Sequence, residues 1–487
     1  MSFMMSLKQK TVSGLIWSFI DNFANLGIQF VVGVILARLL SPKEFGLIGM
    51  LTIFIAISQS FIDSGFKQAL IRKKEPSLAD YSTVFYYNLL LGALTYLVLF
   101  LCAGMIGRFF NEPQLKPLLR VLGLSLVINA ICIIQQTILA SRIDFKLQAK
   151  ISIISSVISG SVAIIMAFAG YGVWSLVIKT ITTYFVTSIL LWLLNNWRPA
   201  LIFSIKSLRE LFSFGSKLLI SGLIDTIYRN VYYIVIGKYF SAQELGYYTT
   251  AEQFNNLPSS NLTSVVQRVS YPVLSSIKED MPKLKQAYKR LIRSTMFICF
   301  VLMLGLVAVS RNMILTFIGP KWETSIVYLQ MLCFVGMFHP LHALNLNMLQ
   351  VEGRSDLFLK IEIIKKTLAV PVIITGVILG MKALILSMIV INLVAYFLNS
   401  HWSGRFMGYS SLEQLADILP SFFLAGTVSL LVYAESLILN FSPAIILPVQ
   451  LISGAVLTIG ICEVIKYEDY IYLKEVIRDT FFKKEVV

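Results

Sequence analysis

The chain has few charged residues and very few histidines. Only 14% of its 487 residues are Asp, Glu, Lys or Arg and three are His, whereas 57% are hydrophobic and the mean hydropathy is +0.77. So few polar side chains do not cover the surface of a soluble globule of this size. We therefore expect the protein to reside in a lipid bilayer.

Cysteine and histidine give little support for a disulfide or a metal site. The five cysteines all fall in hydrophobic stretches and form no CxxC motif, which is typical of small packed side chains. His339 and His342 share one helix face, but no further ligand follows at a metal-binding spacing. We favour packing or lining of a helix over a metal role for this pair, and we expect no cofactor.

Motifs of membrane enzymes are also missing. The sequence contains no HExxH, GxSxG, Walker or DxD-type motif, and the predicted outward loops are too short to hold a folded domain. We therefore expect a protein that is not an enzyme, with a membrane enzyme of glycan assembly as the alternative. The first hydrophobic stretch is full-length and has no small-residue cleavage site after it, so it is interpreted as a retained helix.

Hydrophobic stretches of roughly 20 residues, enough to cross a bilayer as a helix, recur along the whole chain. They predict an all-α polytopic membrane protein. We place fourteen spans at about 12–37, 45–63, 82–106, 115–139, 147–170, 172–195, 210–237, 244–267, 292–310, 325–350, 357–380, 382–400, 414–434 and 443–465.

The basic residues support this count, because Lys and Arg accumulate in loops that face the cytoplasm. With the N-terminus inside, both termini and the even-numbered loops hold 29 of the 41 basic residues, and the opposite loops hold nine. The remaining three, Lys179, Lys217 and Arg229, lie inside spans. This distribution predicts cytoplasmic termini and explains most of the net charge of +15 without a nucleic-acid partner.

A sequence repeat indicates two similar halves. Residues 34–47 read VILARLLSPKEFGL and residues 234–247 read IVIGKYFSAQELGY, two hundred positions later. Both halves begin inside and contain six spans, so we predict parallel lobes related by an axis along the membrane normal, a common plan of transporters. The predicted parts are an N-terminal lobe at 1–200, a C-terminal lobe at 201–405, and two additional helices with a cytoplasmic tail at 406–487.

Several polar side chains lie within the spans, where a charge costs roughly 2.5 to 3.5 kcal/mol at a helix centre. Asp21, Asn25 and Gln29 follow one another at i, i+4 and i+8, so they form a stripe on the first helix. Groups that are this costly to bury are usually functional or paired. We therefore consider the stripe a candidate part of a transport site.

The corresponding helix of the second half carries Lys217, Asp225 and Arg229. Asp225 and Arg229 are spaced to form an ion pair that neutralises itself. Alternatively, Arg229 with Lys179 and Lys217 forms a cationic patch for a diphosphate. The two interpretations are compatible, because a ligand could break the pair. We thus predict substrate binding by Arg229, Lys179, Lys217, Asn25 and Gln29, and binding of a coupling proton or sodium ion by Asp21, Asp225 and Glu252.

The opening of the chain resembles a known family. Residues 14–73 contain a GxxW motif, the segment LARLLSPKEFG and the ending SGFKQALIR, in that order. This stretch is similar to bacterial Wzx-type polysaccharide exporters of the multidrug/oligosaccharidyl-lipid/polysaccharide superfamily, and most similar to their colanic-acid exporter branch. The candidate site residues above were chosen by their chemistry and are not carried over from a family motif.

The resemblance implies a flippase for surface polysaccharide. Its substrate would be a sugar repeat unit on undecaprenyl diphosphate, moved by alternating access from the cytoplasmic to the periplasmic leaflet of a bacterial inner membrane. Two six-helix lobes would form a V-shaped bundle like that of MATE transporters, around a cationic cavity. Membrane lipids and glycan-assembly proteins are further expected partners, and the expectation of a coupling proton or sodium ion rests only on the carboxylates inside the spans. A multidrug or cation antiporter of the same superfamily is the alternative, although the three basic side chains inside spans argue against an anionic cavity.

Overall fold

Helices make up all the regular secondary structure of the described chain. The computed structural model describes residues 2–481, with side-chain surroundings for residues 13–479 other than 15 and 355. Within these residues the fold is all-α, as the hydrophobic stretches predicted. Eighteen α-helices and one short 3₁₀ helix, at Pro320–Trp322, follow one another along the chain.

Ten of the α-helices precede residue 280. They are α1 Ser2–Leu39, α2 Pro42–Asp63, α3 Phe66–Arg72, α4 Leu78–Phe109, α5 Leu115–Leu122, α6 Leu124–Ser141, α7 Phe145–Phe168, α8 Trp174–Leu194, α9 Ile205–Tyr239 and α10 Ala242–Ser276. The other eight are α11 Met281–Phe317, α12 Glu323–Gly336, α13 His339–Val351, α14 Ser355–Leu379, α15 Met381–Met407, α16 Ser411–Ile438, α17 Pro443–Val464 and α18 Glu468–Phe481.

The helices follow the predicted spans closely. Twelve helical segments of the described chain are long and apolar enough to cross a membrane. The two further predicted spans, 244–267 and 357–380, coincide with α10 and α14, which are 35 and 25 residues long but are not among these twelve segments. Two predicted spans are each built from a pair of helices, since 115–139 contains α5 and α6 and 325–350 contains α12 and α13.

The chain forms two compact units, Met1–Gly246 and Tyr247–Val487. In the first unit α1 packs on α7, α7 on α8, and α9 on α2. In the second unit α11 packs along α16, and α14 along α15. The division into lobes at 1–200 and 201–405 with an additional segment at 406–487 rests on the sequence repeat and stays a prediction.

The two additional helices α16 and α17 are held to α11 by buried hydrogen bonds. The Asn312 side-chain amide donates to Gln450 Oε1 at 2.8 Å, and Gln450 Nε2 donates to the Val432 carbonyl oxygen at 2.8 Å. These bonds join α11, α17 and α16 in that order. Buried amides satisfied in this way fix the helices against one another without a charge.

Both repeated segments begin a helix with a hydrogen bond between Ser and the Glu three residues later, in opposite directions in the two copies. The Glu44 carboxylate accepts the Ser41 backbone N–H at 2.6 Å, and Ser241 Oγ accepts the Glu244 N–H at 3.0 Å. Each Ser–x–x–Glu sequence therefore satisfies backbone donors that the start of a helix leaves free. The shared spacing is thus explained by helix capping.

The repeated glycines allow the first turns of α2 and α10 to touch. A Cβ at Gly46 would lie 1.6 Å from the Ala242 carbonyl oxygen, and a Cβ at Gly246 would lie 1.8 Å from that of Pro42. The contact is reciprocal, with each glycine facing the first residue of the other helix. Only a residue without a side chain permits such a close approach of two backbones.

Candidate functional site

A polar cavity lies inside the first unit, between α1, α3, α6, α7 and α8. Its volume is about 290 Å³, and its wall includes a carboxylate, an ammonium group, amides and hydroxyls. A cavity of this size and polarity has room and hydrogen-bonding partners for several waters or a small ion. The lining residues are Asp21, Lys67, Gln136, Gln148, Ile151, Ser152, Thr183, Tyr184, Thr187 and Leu191.

The predicted polar stripe of α1 reaches this cavity through Asp21 and Asn25. The Asn25 side-chain amide donates to Asp21 Oδ1 at 2.6 Å and to Ser152 Oγ at 2.8 Å, while Ser156 Oγ donates to Asn25 Oδ1. Asn25 therefore links the Asp21 carboxylate to α7. The third member of the stripe, Gln29, is exposed.

The second predicted group contains an ion pair on α9. Arg229 Nε lies 2.8 Å from Asp225 Oδ2, and the two side chains are 75% and 51% exposed. Neither partner is enclosed by the protein, so a ligand can reach both charges.

The other two predicted cations do not join this pair. Lys217 is exposed on α9 and Lys179 is half-buried on α8, and among the described residues neither forms an ion pair. Helix α8 packs against α5, α6 and α7, whereas α9 packs against α2, α3 and α4. No direct contact among Lys179, Lys217 and Arg229 is recorded in the described part of the chain.

Glu252, the last predicted ion ligand, lies on α10 in the second unit. The Tyr248 hydroxyl lies 3.4 Å from Glu252 Oε1 and 3.9 Å from the Met388 sulfur. The distance to the carboxylate is that of a weak hydrogen bond.

The sequence did not indicate most of the cavity wall. The predicted spans place Lys67 in the loop between the second and third spans. In the structure, Ser64 and Gly65 have φ of +43° and +68°, and the chain then continues as helix α3. This turn brings Lys67 to the cavity. The i, i+4 spacing of Thr183 and Thr187, and of Gln148 and Ser152, was a usable signal for two polar helix faces.

A different polar cluster lies inside the second unit, around α13. Asn399 Nδ2 lies 3.1 Å from His342 Nδ1, and His342 Nε2 lies 3.2 Å from Asn392 Oδ1. Because the Asn399 amide donates, the imidazole proton is assigned to Nε2. His342 thus joins α13 to α15 as a packed polar side chain. Within the described residues no group of three or more His, Cys, Asp or Glu is arranged to hold a metal ion.

Asn345 forms the second centre of this cluster. Its Oδ1 accepts hydrogen bonds from the Tyr288 hydroxyl at 3.0 Å and from the Ser403 hydroxyl, and its amide donates to the Leu341 carbonyl oxygen at 2.9 Å. Asn345 and Tyr288 are completely buried. The cluster joins α11, α13 and α15 through neutral groups.

Comparisons with known proteins agree with this architecture. The chain is 29% identical over 380 residues to the lipopolysaccharide biosynthesis protein WzxC of Escherichia coli K12, covering 76% of each protein. The lipid II flippase MurJ in an inward closed conformation superposes with a TM-score of 0.72 at 16% identity, over 94% of this chain and 100% of MurJ. A multidrug MATE transporter of the MOP superfamily in its inward-facing conformation gives 0.63 at 15% identity, over 81% and 98%.

The two structural comparisons show a fold in common, and the sequence profile shows the family. The profile of the polysaccharide biosynthesis protein family matches residues 35–327, which is more than half of the chain. This range includes both copies of the repeated segment apart from Val34, and the complete wall of the cavity except Asp21. The chain therefore belongs to the polysaccharide biosynthesis protein family, and it has the all-helical membrane fold seen in MurJ and in MATE transporters.

Proposed function

We propose that the protein is a flippase that moves a lipid-linked oligosaccharide across the bacterial inner membrane for surface polysaccharide synthesis. The proposal rests on one observation, which is that the family and the fold of the chain point to the same kind of function. The family is one of polysaccharide biosynthesis, and the fold of a lipid II flippase accounts for 94% of the chain. The proposed substrate is a sugar repeat unit on undecaprenyl diphosphate, and both termini are proposed to lie in the cytoplasm.

The Arg229–Asp225 pair supports binding of the diphosphate. A guanidinium offers paired N–H donors that match phosphate oxygens, and a doubly charged diphosphate attracts it more strongly than one carboxylate does. Because the pair is exposed at the surface of the protein, a diphosphate can reach the guanidinium and displace the carboxylate. Lys179 is the second proposed contact, since its ammonium lies in a span without an ion pair among the described residues.

The cavity around Asp21 supports coupling to an ion gradient. A proton or sodium ion that bound the Asp21 carboxylate would change the net charge of the cavity, whose wall also includes the Lys67 ammonium. Asn25 connects that carboxylate to Ser152 on α7. Occupancy of Asp21 would therefore alter how α1 is held against α7, and we propose this change as the link between ion binding and alternating access.

The proposed function is tested with the purified protein in vesicles. The substrate would be the lipid-linked sugar that accumulates in a strain that lacks the protein, labelled on the sugar. We expect the label to cross the bilayer only in vesicles that contain the protein, and faster when a proton or sodium gradient is imposed. Equal rates with and without protein would reject the flippase, whereas protein-dependent but gradient-independent rates would reject only the coupling.

The proposed contacts are tested by Arg229→Gln and Lys179→Gln in the same assay. We expect each change to lower the transport rate by about tenfold, through lost phosphate binding, with unchanged protein levels. Lys206→Gln is the matched control, because Lys206 is exposed on the same helix as Arg229 and outside the proposed site. If both variants transport like the control, Arg229 and Lys179 are not substrate contacts.

A further inference from the structure

A groove separates the consecutive helices α15 and α16 in the second unit. Helix α15 packs chiefly against α12, α13 and α14, whereas α16 packs chiefly against α11 and α17. A cavity of about 420 Å³ lies where the segment Gly408–Ser410 connects the two helices. Its wall includes His401 and Arg405 from the end of α15 and Leu412 and Glu413 from the start of α16.

Helix α15 carries one row of exposed side chains that ends at this cavity. Val390, Val394 and Phe397 are exposed apolar side chains, and His401 and Arg405 follow them at spacings of three or four residues. Positions spaced in this way lie on one side of a helix. The row is therefore apolar along the body of the helix and basic at its end.

Helix α16 also carries a row of exposed apolar side chains that begins at the cavity. Leu412, Leu419 and Phe423 are exposed and are spaced seven and four residues apart, so they lie on one side of the helix. Leu412 also lines the cavity. The apolar surface thus continues from the cavity along both helices.

Two basic side chains and one carboxylate line the cavity, and a third basic side chain, Lys285, lies beside it. The Arg405 guanidinium and the His401 ring have no ion pair or hydrogen bond to protein among the described residues, and Lys285 Nζ donates to the Gly408 carbonyl oxygen next to them. The one carboxylate of the wall, Glu413, accepts the Ser410 backbone N–H at 2.7 Å. The partial positive charge at the N-terminus of α16 offsets the negative charge of this carboxylate.

We propose that this groove binds one anionic glycerophospholipid. The phosphate would lie between Arg405 and His401, and an acyl chain would follow Val390, Val394 and Phe397. Arg and His donors bind phosphate oxygens well, and basic pockets between membrane helices are recognised headgroup sites. Trp402, whose ring lies 5.4 Å from that of His401, is of the type that marks the headgroup level of a bilayer.

The inference is tested by native mass spectrometry of the full chain in a neutral detergent. Phosphatidylglycerol and phosphatidylcholine with identical acyl chains would be added in equal, increasing amounts. We expect one phosphatidylglycerol to be retained at concentrations where phosphatidylcholine is lost. Arg405→Gln should weaken this binding by about tenfold, the loss of roughly one charged hydrogen bond, and Arg405→Lys by less.

Lys382→Gln is the matched control, because Lys382 is an exposed cation in the first turn of the same helix. It should leave phosphatidylglycerol binding unchanged, and thermal unfolding of each variant shows whether it is folded. Equal retention of both lipids, or equal losses in Arg405→Gln and Lys382→Gln, would overturn the proposal. Displacement by inorganic phosphate at the lipid's own concentration would identify a site for free anions instead. Preferential binding of undecaprenyl diphosphate would identify a substrate site instead.

Discussion

The polar clusters of the two units differ in charge and in packing. In the first unit Asp21 and Lys67 face a cavity of about 290 Å³. In the second unit Tyr288, His342 and Asn345 are joined to their neighbours by direct hydrogen bonds. Both clusters bury polar groups within a membrane fold, but only the first retains opposite charges beside open space. The difference indicates that the first cluster is suited to exchange an ion or water and the second to hold helices together.

The strongest test of this difference removes one charge. Asp21→Asn preserves the shape of the side chain and its ability to accept the Asn25 hydrogen bond, but it leaves the cavity without its carboxylate. We expect gradient-driven transport to fall by at least about tenfold with little change in thermal unfolding. Asn22→Ser, at an exposed position on the same helix, is the control. If Asp21→Asn transports at the wild-type rate under a gradient, the cluster around Asp21 has a structural role, like the cluster in the second unit.

The contact between the first turns of α2 and α10 involves neither a charged group nor a cavity, so a mutation there tests packing alone. Gly46→Ala places a methyl group 1.6 Å from the Ala242 carbonyl oxygen, so the first turns of α2 and α10 must shift. We expect a loss of about 1 to 3 kcal/mol in stability, measured by thermal unfolding in detergent. Gly104→Ala in α4 has nothing within 4 Å of the new Cβ and should be neutral or slightly stabilising. Identical unfolding of the two variants would contradict the close approach.

The packed cluster of the second unit is broken by Asn345→Ala. The change leaves the buried hydroxyls of Tyr288 and Ser403 without their shared acceptor, which costs about 1 to 2 kcal/mol. We expect the melting temperature to fall while transport per folded molecule stays unchanged. Tyr288→Phe combined with Asn345→Ala completes a double-mutant cycle, and a coupling energy of zero would argue against the observed hydrogen bond. A specific loss of transport would assign function to this cluster too.

The smallest effect is expected at the junction of α1 and α7. Ser152→Ala removes one acceptor of the Asn25 amide, and such bonds between membrane helices contribute about 0.6 kcal/mol on average. Unfolding should change slightly, and the gradient dependence of transport should weaken more than the basal rate. The control is Ser436→Ala, since the Ser436 hydroxyl donates to the carbonyl oxygen of Tyr433 in its own helix and, within the described residues, bonds no other helix. Equal behaviour of the two variants would remove the proposed link between Asp21 and α7.

Much of the fold could be predicted because the relevant signals are local. A hydrophobic run of sufficient length indicates a membrane helix without knowledge of its neighbours, so the predicted spans coincide with the helices. The break between α5 and α6 was not predicted, because Gly123 keeps right-handed helical dihedrals and the hydrophobic run continues through it. The spacing of Asp225 and Arg229 likewise predicted a pair that the structure contains.

The sequence by itself determined that this is an all-helical membrane chain with a repeated helix start and with polar stripes on particular helices. Composition, periodicity and i, i+4 spacing carry that information, since each depends on residues close together in the chain. Tertiary structure alone decided that Lys67 and Asp21 line the same cavity and that His342 and Asn345 are packed. These partners are separated by tens of residues, so their meeting depends on how whole helices pack and on one left-handed turn at Ser64–Gly65.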